Sequence, residues 1–191
     1  MFGKHFLTWL VANLIGFAVL AVAYFVLPMG ILGAGFAAAL LIIALVMGTA
    51  QWLALRRLLS ISPLWLLSTL LGGALGWLAL FNLPQAFWQL LGDDESILAL
   101  SAGYFVVGLA IGVLQWLLLR LRLKRAWLWI LASALGAGLA LAVILATELI
   151  YRSALLSFCV AALIYATLTG LTLAGLLAYK DALRSGEGFN R

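Results

Sequence analysis

Residues that commonly carry chemistry are scarce in this chain of 191 residues. It has one cysteine (Cys159), one histidine (His5) and only 9% charged residues. A single cysteine excludes a disulfide within one chain, and Cys159 lies in an apolar run, where we expect it to be a small buried packing residue. A single histidine excludes a bis-histidine haem or a zinc cluster within one chain. The sequence therefore predicts no metal site.

Catalytic motifs are also missing. There is no Gly-x-Ser-x-Gly elbow with a histidine partner, no Walker loop and no Cys-x-x-Cys pair. No charged residue lies near the middle of a predicted span, whereas ion-coupled pumps need such groups as relays. Asp93, Asp94 and Glu95 could bind a divalent cation, but acidic residues before Ser96 also favour the start of a helix, which we prefer. The sequence predicts that the protein is not an enzyme.

Apolar side chains, in contrast, are abundant. The hydrophobic fraction is 67% and the mean hydropathy is +1.23. A soluble domain of this size could not cover so much apolar surface, and a net charge of +5 is typical of membrane-protein loops rather than of nucleic-acid binding. The apolar runs reach the roughly 20 residues that a spanning helix needs and lack the alternation of barrel strands. The sequence predicts an all-α integral membrane bundle.

Six transmembrane helices are predicted within a single domain covering residues 1–191. They occupy residues 6–27, 31–55, 64–82, 97–119, 127–148 and 155–179. With this count, ten of the eleven basic residues fall on one side and only Arg152 on the other. The positive-inside rule therefore places both termini, including a short tail at 180–191, in the cytoplasm. Residues 83–92 are either a short interfacial helix after Pro84 or an apolar loop.

The chain contains an internal repeat. The phrase GTAQWLALR, which starts at Gly48, returns as GVLQWLLLR from Gly112. Tryptophans that open the outgoing spans are each followed seven residues later by a glycine. About three parallel two-helix hairpins are predicted, at approximately 6–55, 64–119 and 127–179. The last returning helix is degenerate, because alignment of Gly170 with Gly108 puts Leu177 in the place of Gln115.

Small residues recur at four-residue spacing along the predicted helices. In lipid there is no hydrophobic drive to join helices, so close backbone approach and a few hydrogen bonds must hold them together. These stripes therefore predict helix contacts at seven glycines: Gly48, Gly72, Gly76, Gly108, Gly112, Gly136 and Gly170.

Five uncharged polar residues are predicted to lie at a similar depth. Two glutamines precede an arginine by five residues, which is about 7–8 Å at 1.5 Å per residue. Three other polar residues follow a tryptophan by four positions. We expect the glutamines to hydrogen-bond to these three across helix contacts. Together they form the polar layer: Asn13, Gln51, Thr69, Gln115 and Ser133.

Aromatic and basic residues gather at the predicted cytoplasmic boundary. One interpretation is an aromatic belt with snorkelling cations. The other is a docking ring for anionic lipid head groups or for a cytoplasmic partner. The residues concerned are Trp9, Trp52, Trp65, Trp116, Trp129, Arg56, Arg57, Arg120, Arg122 and Arg125.

The two phrases Gln51-Trp52-Leu-Ala-Leu-Arg56 and Gln115-Trp116-Leu-Leu-Leu-Arg120 carry a resemblance. The chain resembles a group of uncharacterised bacterial multi-pass membrane proteins with repeated Gln-Trp-Leu-x-Leu-Arg phrases, which are frequent in phototrophic bacteria. The resemblance covers residues 44–140 and implies a bacterial inner or thylakoid-type membrane. The last returning helix departs from the pattern, because it lacks the glutamine.

These observations favour a non-enzymatic accessory or scaffold subunit of a larger membrane complex, and the resemblance raises the prospect that the complex is photosynthetic. The expected partners are membrane lipids and other membrane-protein subunits, with no nucleic acid. No cofactor is demanded by the residues, and bound lipid or a chlorophyll-type pigment is the open ligand class. The alternative is a passive channel or small-solute transporter in which the polar layer lines a path.

Overall fold

The computed structural model describes residues 2–26, 34–83, 85–91 and 96–185. The predicted break at residues 28–30, the acidic residues 93–95 and residues 186–191 of the predicted tail lie outside the described residues. Within them the chain forms seven helices: α1 (Phe2–Val26), α2 (Ala34–Leu59), α3 (Leu64–Phe81), α4 (Gln85–Leu90), α5 (Ile97–Leu119), α6 (Leu128–Tyr151) and α7 (Ala154–Ser185).

Several helix ends differ from the predicted spans. α2 runs to Leu59, so Arg56 and Arg57 form its last turn, where cations interact favourably with the free carbonyl groups. α7 continues through Ser185, which makes the first part of the predicted tail helical. Residues 85–90 form the short helix α4 rather than a loop. Ser96 caps α5 by accepting a hydrogen bond from the Ala99 amide at 3.0 Å.

The chain is a multi-pass, all-α membrane protein. Among the described residues, five helical segments are long and apolar enough to cross a membrane, and α1 adds a shorter apolar stretch at Phe6–Val22. The five are Leu41–Leu59, Leu64–Phe81, Ile97–Leu119, Leu128–Tyr151 and Ala154–Leu183. The predicted membrane bundle is confirmed. The expected burial of Cys159 is wrong, because this residue is exposed on α7.

The six long helices pack as a closed ring. α1 packs against α2, α2 against α3, α3 against α5, α5 against α6, α6 against α7, and α7 returns to α1. The helices α1, α3 and α6 start at the end of the bundle that carries Arg56, Arg57 and Arg120, which we call the basic end. They alternate around the ring with α2, α5 and α7, which run back to it. Every long helix is therefore flanked by two helices of the opposite direction.

Glycines allow the closest of these contacts. A Cβ atom at Gly72 would lie 2.6 Å from Cα of Ile111, and one at Gly76 would lie 2.7 Å from Cα of Val107. At Gly108 it would lie 2.5 Å from the carbonyl oxygen of Ser133. Since these neighbours are backbone atoms, a larger side chain would push α5 away from α3 or α6. The other predicted glycines also face a neighbouring helix: Gly48, Gly112, Gly136 and Gly170.

Candidate functional site

Three tryptophans meet in the core at the basic end of the ring. Trp65 and Trp129 lie in the first turns of α3 and α6, Trp9 lies in the second turn of α1, and each of the three is 0% exposed. The ring centroid of Trp129 lies 5.3 Å from that of Trp9 and 5.9 Å from that of Trp65, both edge to face. Such pairs contribute about 0.5–1.5 kcal/mol beyond the area they bury. We call these three residues the tryptophan cluster.

Both interpretations of the boundary tryptophans, an aromatic belt and a docking ring, need exposed indoles, so both are wrong for the tryptophan cluster. An indole near a membrane boundary can turn outward or inward, and these three turn inward because ring closure brings their helices to one axis. Trp52 and Trp116, in contrast, are partly exposed and lie beneath arginines. The guanidinium carbon of Arg56 is 5.0 Å from the Trp52 ring, and that of Arg120 is 5.1 Å from the Trp116 ring.

The remaining basic residues of the boundary set are on the surface. Arg57, Arg120, Arg122 and Arg125 are exposed at the basic end. Arg125 lies over the ring of Tyr179, with 4.6 Å between the guanidinium carbon and the ring centroid.

The first glutamine of the polar layer joins three helices. Gln51, on α2, is 1% exposed. Its side-chain N–H donates to Oδ1 of Asn13 on α1 at 2.8 Å, and its carbonyl oxygen accepts from the indole N–H of Trp65 on α3 at 3.3 Å. Asn13 in turn donates to the carbonyl oxygen of Trp9 at 2.9 Å.

The second glutamine repeats this arrangement one hairpin later. Gln115, on α5, is also 1% exposed. It donates to Oγ1 of Thr69 on α3 at 3.0 Å and accepts from the indole N–H of Trp129 on α6 at 2.9 Å. Thr69 donates to the carbonyl oxygen of Trp65 at 3.0 Å. Each glutamine thus binds a polar residue of its own hairpin and the tryptophan of the next.

Thr169 takes the glutamine's place in the third hairpin. Its Oγ1 accepts from the indole N–H of Trp9 at 2.9 Å and donates to the carbonyl oxygen of Tyr165 at 2.7 Å. This bond joins α7 to α1 and closes the ring. A threonine has no amide group to offer, and the buried hydroxyl of Ser133 has no hydrogen-bond partner among the described residues.

The alignment of the third hairpin must therefore be shifted by eight residues. The sequence placed Leu177 opposite Gln115, whereas the contact with the next tryptophan is made by Thr169. With Thr169 aligned to Gln115, buried positions coincide along the two helices. The pairs are Gly108 with Ala162, Gly112 with Ala166, and Leu119 with Leu173.

Sequence reasoning missed Thr169 because Gly170 is the most conspicuous small residue near the end of α7. α7 does contain the spacing of α5. In both helices a small residue is followed by a second small residue after four positions, by a polar residue after three more, and by a leucine after four more. These residues are Ala162, Ala166, Thr169 and Leu173 in α7, and Gly108, Gly112, Gln115 and Leu119 in α5. A search for this spacing rather than for glycine would have found the position.

The polar layer and the tryptophan cluster form a neutral, water-excluded network. Its groups are amides, hydroxyls and indoles, which neither take up nor release a proton near neutral pH. No group of three or more metal-ligating residues is found among the described positions. The arrangement can fix the positions of six helices relative to one another. Among the described residues, the buried hydroxyl of Ser133 takes no part in it.

The chain was compared with protein-family models, with curated proteins and with solved structures. No match was found in any of the three comparisons.

Proposed function

We propose that this protein is a non-enzymatic scaffold or accessory subunit of a larger membrane complex. The observation that carries the proposal is the internal use of the polar layer. Gln51, Gln115, Asn13 and Thr69 are at most 4% exposed and hydrogen-bond to one another or to the tryptophan cluster. Side chains committed in this way stabilise a rigid bundle and are not presented to a solute.

The outer surface supports the same proposal. Leucines stand in rows on the outward faces of the helices, with Leu67, Leu71 and Leu75 on α3 about half exposed. In a bilayer such a face packs equally well against acyl chains and against another apolar helix. A rigid ring with apolar walls therefore suits a subunit that occupies a fixed place among other membrane proteins.

The finer parts of the proposal rest on the sequence. The excess of basic residues at one end favours a cytoplasmic location for that end and for both termini. The resemblance to proteins of phototrophic bacteria favours an inner or thylakoid-type membrane and a photosynthetic complex. In such a complex, pigment or lipid would meet the leucine, phenylalanine and tryptophan side chains of the outer wall.

Native mass spectrometry of the gently extracted protein tests the proposal. We expect the chain to leave the membrane in a complex with other membrane-protein subunits at a fixed stoichiometry. Absorption spectra of the same material show whether pigment is present. Replacement of Leu71 by Asn, which changes the outer face of α3 and leaves the buried network intact, provides a variant in which one interface is weakened.

Two results would contradict the scaffold proposal. One is extraction that always yields the chain alone, in several mild detergents. The other is solute flux through liposomes that contain the purified chain and that is lost on replacement of Gln115 by Leu. That second result would favour the passive channel.

A further inference from the structure

At Gly136 the two helices of the third hairpin approach each other less closely than the helices of the second hairpin do at Gly72. At Gly72, an added Cβ would lie 2.6 Å from Cα of Ile111, so α3 and α5 touch through their backbones. The corresponding pair in the third hairpin is Gly136 and Tyr165. There the added Cβ would lie 3.8 Å from Cα of Tyr165, and the tyrosine ring fills the space at 3.0 Å. Tyr165 thus separates α6 from α7 more widely than Ile111 separates α3 from α5.

A groove lies along this same seam between α6 and α7. It has a volume of about 490 Å³, and its walls are mainly leucines of the two helices, among them Leu131, Leu135, Leu168 and Leu171. Gly175 is part of the lining, and a Cβ atom added there would meet nothing within 4 Å. The groove is therefore apolar and open where a larger residue would have filled it.

The groove continues along the seam for the depth of one membrane leaflet. A second cavity of about 380 Å³ shares Leu168 with it and extends past Leu139. From Leu128 to Leu139 the α6 wall covers about 16 Å at 1.5 Å per residue. Half of a hydrocarbon core about 30 Å thick is about 15 Å. The length matches a single acyl chain that lies parallel to the helices.

A cation stands at the basic end of the groove. Arg125 belongs to the lining, and its guanidinium lies 4.6 Å from the centroid of the Tyr179 ring. A guanidinium stacked by its face keeps its N–H edge available for the two oxygens of a phosphate.

The charged residues around Arg125 are mostly basic. The connection that holds Arg125 also contains Arg120, Arg122 and Lys124, all exposed, and no acidic residue. On α7, Asp181 follows Lys180 directly, so their charges offset one another. A negatively charged group at the mouth of the groove would therefore meet a net positive surface.

We propose that the α6–α7 seam is a binding site for a phospholipid with an anionic head group. One acyl chain lies along the leucines and Gly175, and the phosphate is held by the edge of the Arg125 guanidinium. This inference does not depend on the scaffold proposal, because it concerns one lipid on the isolated chain.

Titration of the delipidated protein, monitored by native mass spectrometry, tests the site with phosphatidylglycerol and with phosphatidylcholine of the same chain length. We expect one tightly bound phosphatidylglycerol and weaker binding of phosphatidylcholine. Arg125→Gln should weaken phosphatidylglycerol binding about fivefold and leave phosphatidylcholine unchanged, since one arginine near a surface contributes about 1 kcal/mol to anionic lipid binding. Arg56→Gln is the matched control, because Arg56 stacks on Trp52 in the same way at 5.0 Å.

Gly175→Leu should fill the groove and reduce binding of both lipids. Gly73→Leu is its control, since Gly73 also has nothing within 4 Å of an added Cβ but lies on α3. Melting temperatures in detergent show whether each variant is folded, and Leu171→Trp supplies a second way to narrow the groove.

Equal binding of the two lipids by the unaltered chain would overturn the proposal. So would equal losses for Gly175→Leu and Gly73→Leu, or a co-purified pigment whose occupancy falls in Gly175→Leu. None of these results tests the scaffold proposal, which depends on the subunit stoichiometry of the extracted complex.

Discussion

The first two hairpins and the third solve the same packing problem with different side chains. Gln115 links α5 to both α3 and α6, whereas Thr169 links α7 only to α1. The shorter side chain leaves Ser133 without the partner that Thr69 has. Within the third hairpin the contact is made instead by the ring of Tyr165 against Gly136. Gln115 therefore ties α5 to both of its neighbours by hydrogen bonds. The third hairpin has no such bond between its own two helices at this level and relies on the packing of a ring against a glycine.

The largest effect is expected from Trp129, because it contacts both other members of the tryptophan cluster. Trp129→Ala should lower the free energy of unfolding by about 3–5 kcal/mol, as expected for the loss of a buried aromatic side chain. Unfolding in mixed detergent micelles, followed by circular dichroism, measures the change. Trp127→Ala is the control, since Trp127 is 52% exposed and should change stability little. Similar losses for the two variants would contradict the central role of the cluster.

Alanine at Gly72 and at Gly136 compares a helix contact made through backbone atoms with one made through a side-chain ring. Gly72→Ala should cost about 1–3 kcal/mol, because the new methyl group meets the backbone of Ile111. Gly136→Ala should cost less, since the neighbouring Tyr165 ring can rotate slightly. The same unfolding assay applies, with Gly73→Ala as the unobstructed control. A larger cost at Gly136 than at Gly72 would show that the space around Gly136 is the tighter of the two.

Gln115 makes two hydrogen bonds to neighbouring helices and Thr169 makes one, so removal of each side chain compares their contributions to stability. Gln115→Leu should cost about 1–3 kcal/mol, because it leaves both the Trp129 indole N–H and Thr69 without this partner, at about 0.6–1.7 kcal/mol per bond in a membrane. Thr169→Val keeps the shape and removes one bond between helices, the one from Trp9, together with the bond to the Tyr165 carbonyl oxygen within α7. Since only one bond between helices is lost, about half that cost is expected. Unfolding free energies of the two variants, measured side by side, decide the comparison. Equal costs would mean that the Gln115–Thr69 bond contributes nothing.

The smallest effect is expected at Ser133. Ser133→Ala should leave stability unchanged or raise it by about 1 kcal/mol, because it removes a buried hydroxyl that has no partner among the described residues. Thr69→Ala, at the equivalent position, should lower stability by about 1 kcal/mol, since Gln115 then loses its acceptor. A clear loss for Ser133→Ala in thermal unfolding would show that the hydroxyl is engaged after all.

Much of the fold could be predicted from the sequence, because membrane helices are dictated by length and composition. Apart from the C-terminal end of α7, the helix ends were predicted to within a few residues. The glycines lie at contacts because small residues allow lipid-embedded helices to approach closely. The bonds of Gln51 to Asn13 and of Gln115 to Thr69 follow from equal depth on neighbouring helices.

The remainder could not be predicted, because it depends on closure of the ring. Depth along a helix does not say which way a residue faces, so Trp9, Trp65 and Trp129 could not be told from Trp52 and Trp116. The partner of Trp9 lies 160 positions away in the chain, and no local spacing connects them. The separation of α6 from α7 by Tyr165 likewise depends on the three-dimensional register of the shifted third hairpin.

The bond between Trp9 and Thr169 has a consequence for synthesis. A ribosome that adds about 5–20 residues per second needs roughly 8–32 s to make the 160 residues between them. If α1 enters the bilayer as it is synthesised, the flank that later meets α7 stays uncovered during that interval, and the Trp9 indole N–H lacks its Thr169 acceptor. Insertion of α1 is then separated by a delay from its packing against α7. A factor that covers α1 until α7 is inserted would shorten the exposure of the uncovered flank.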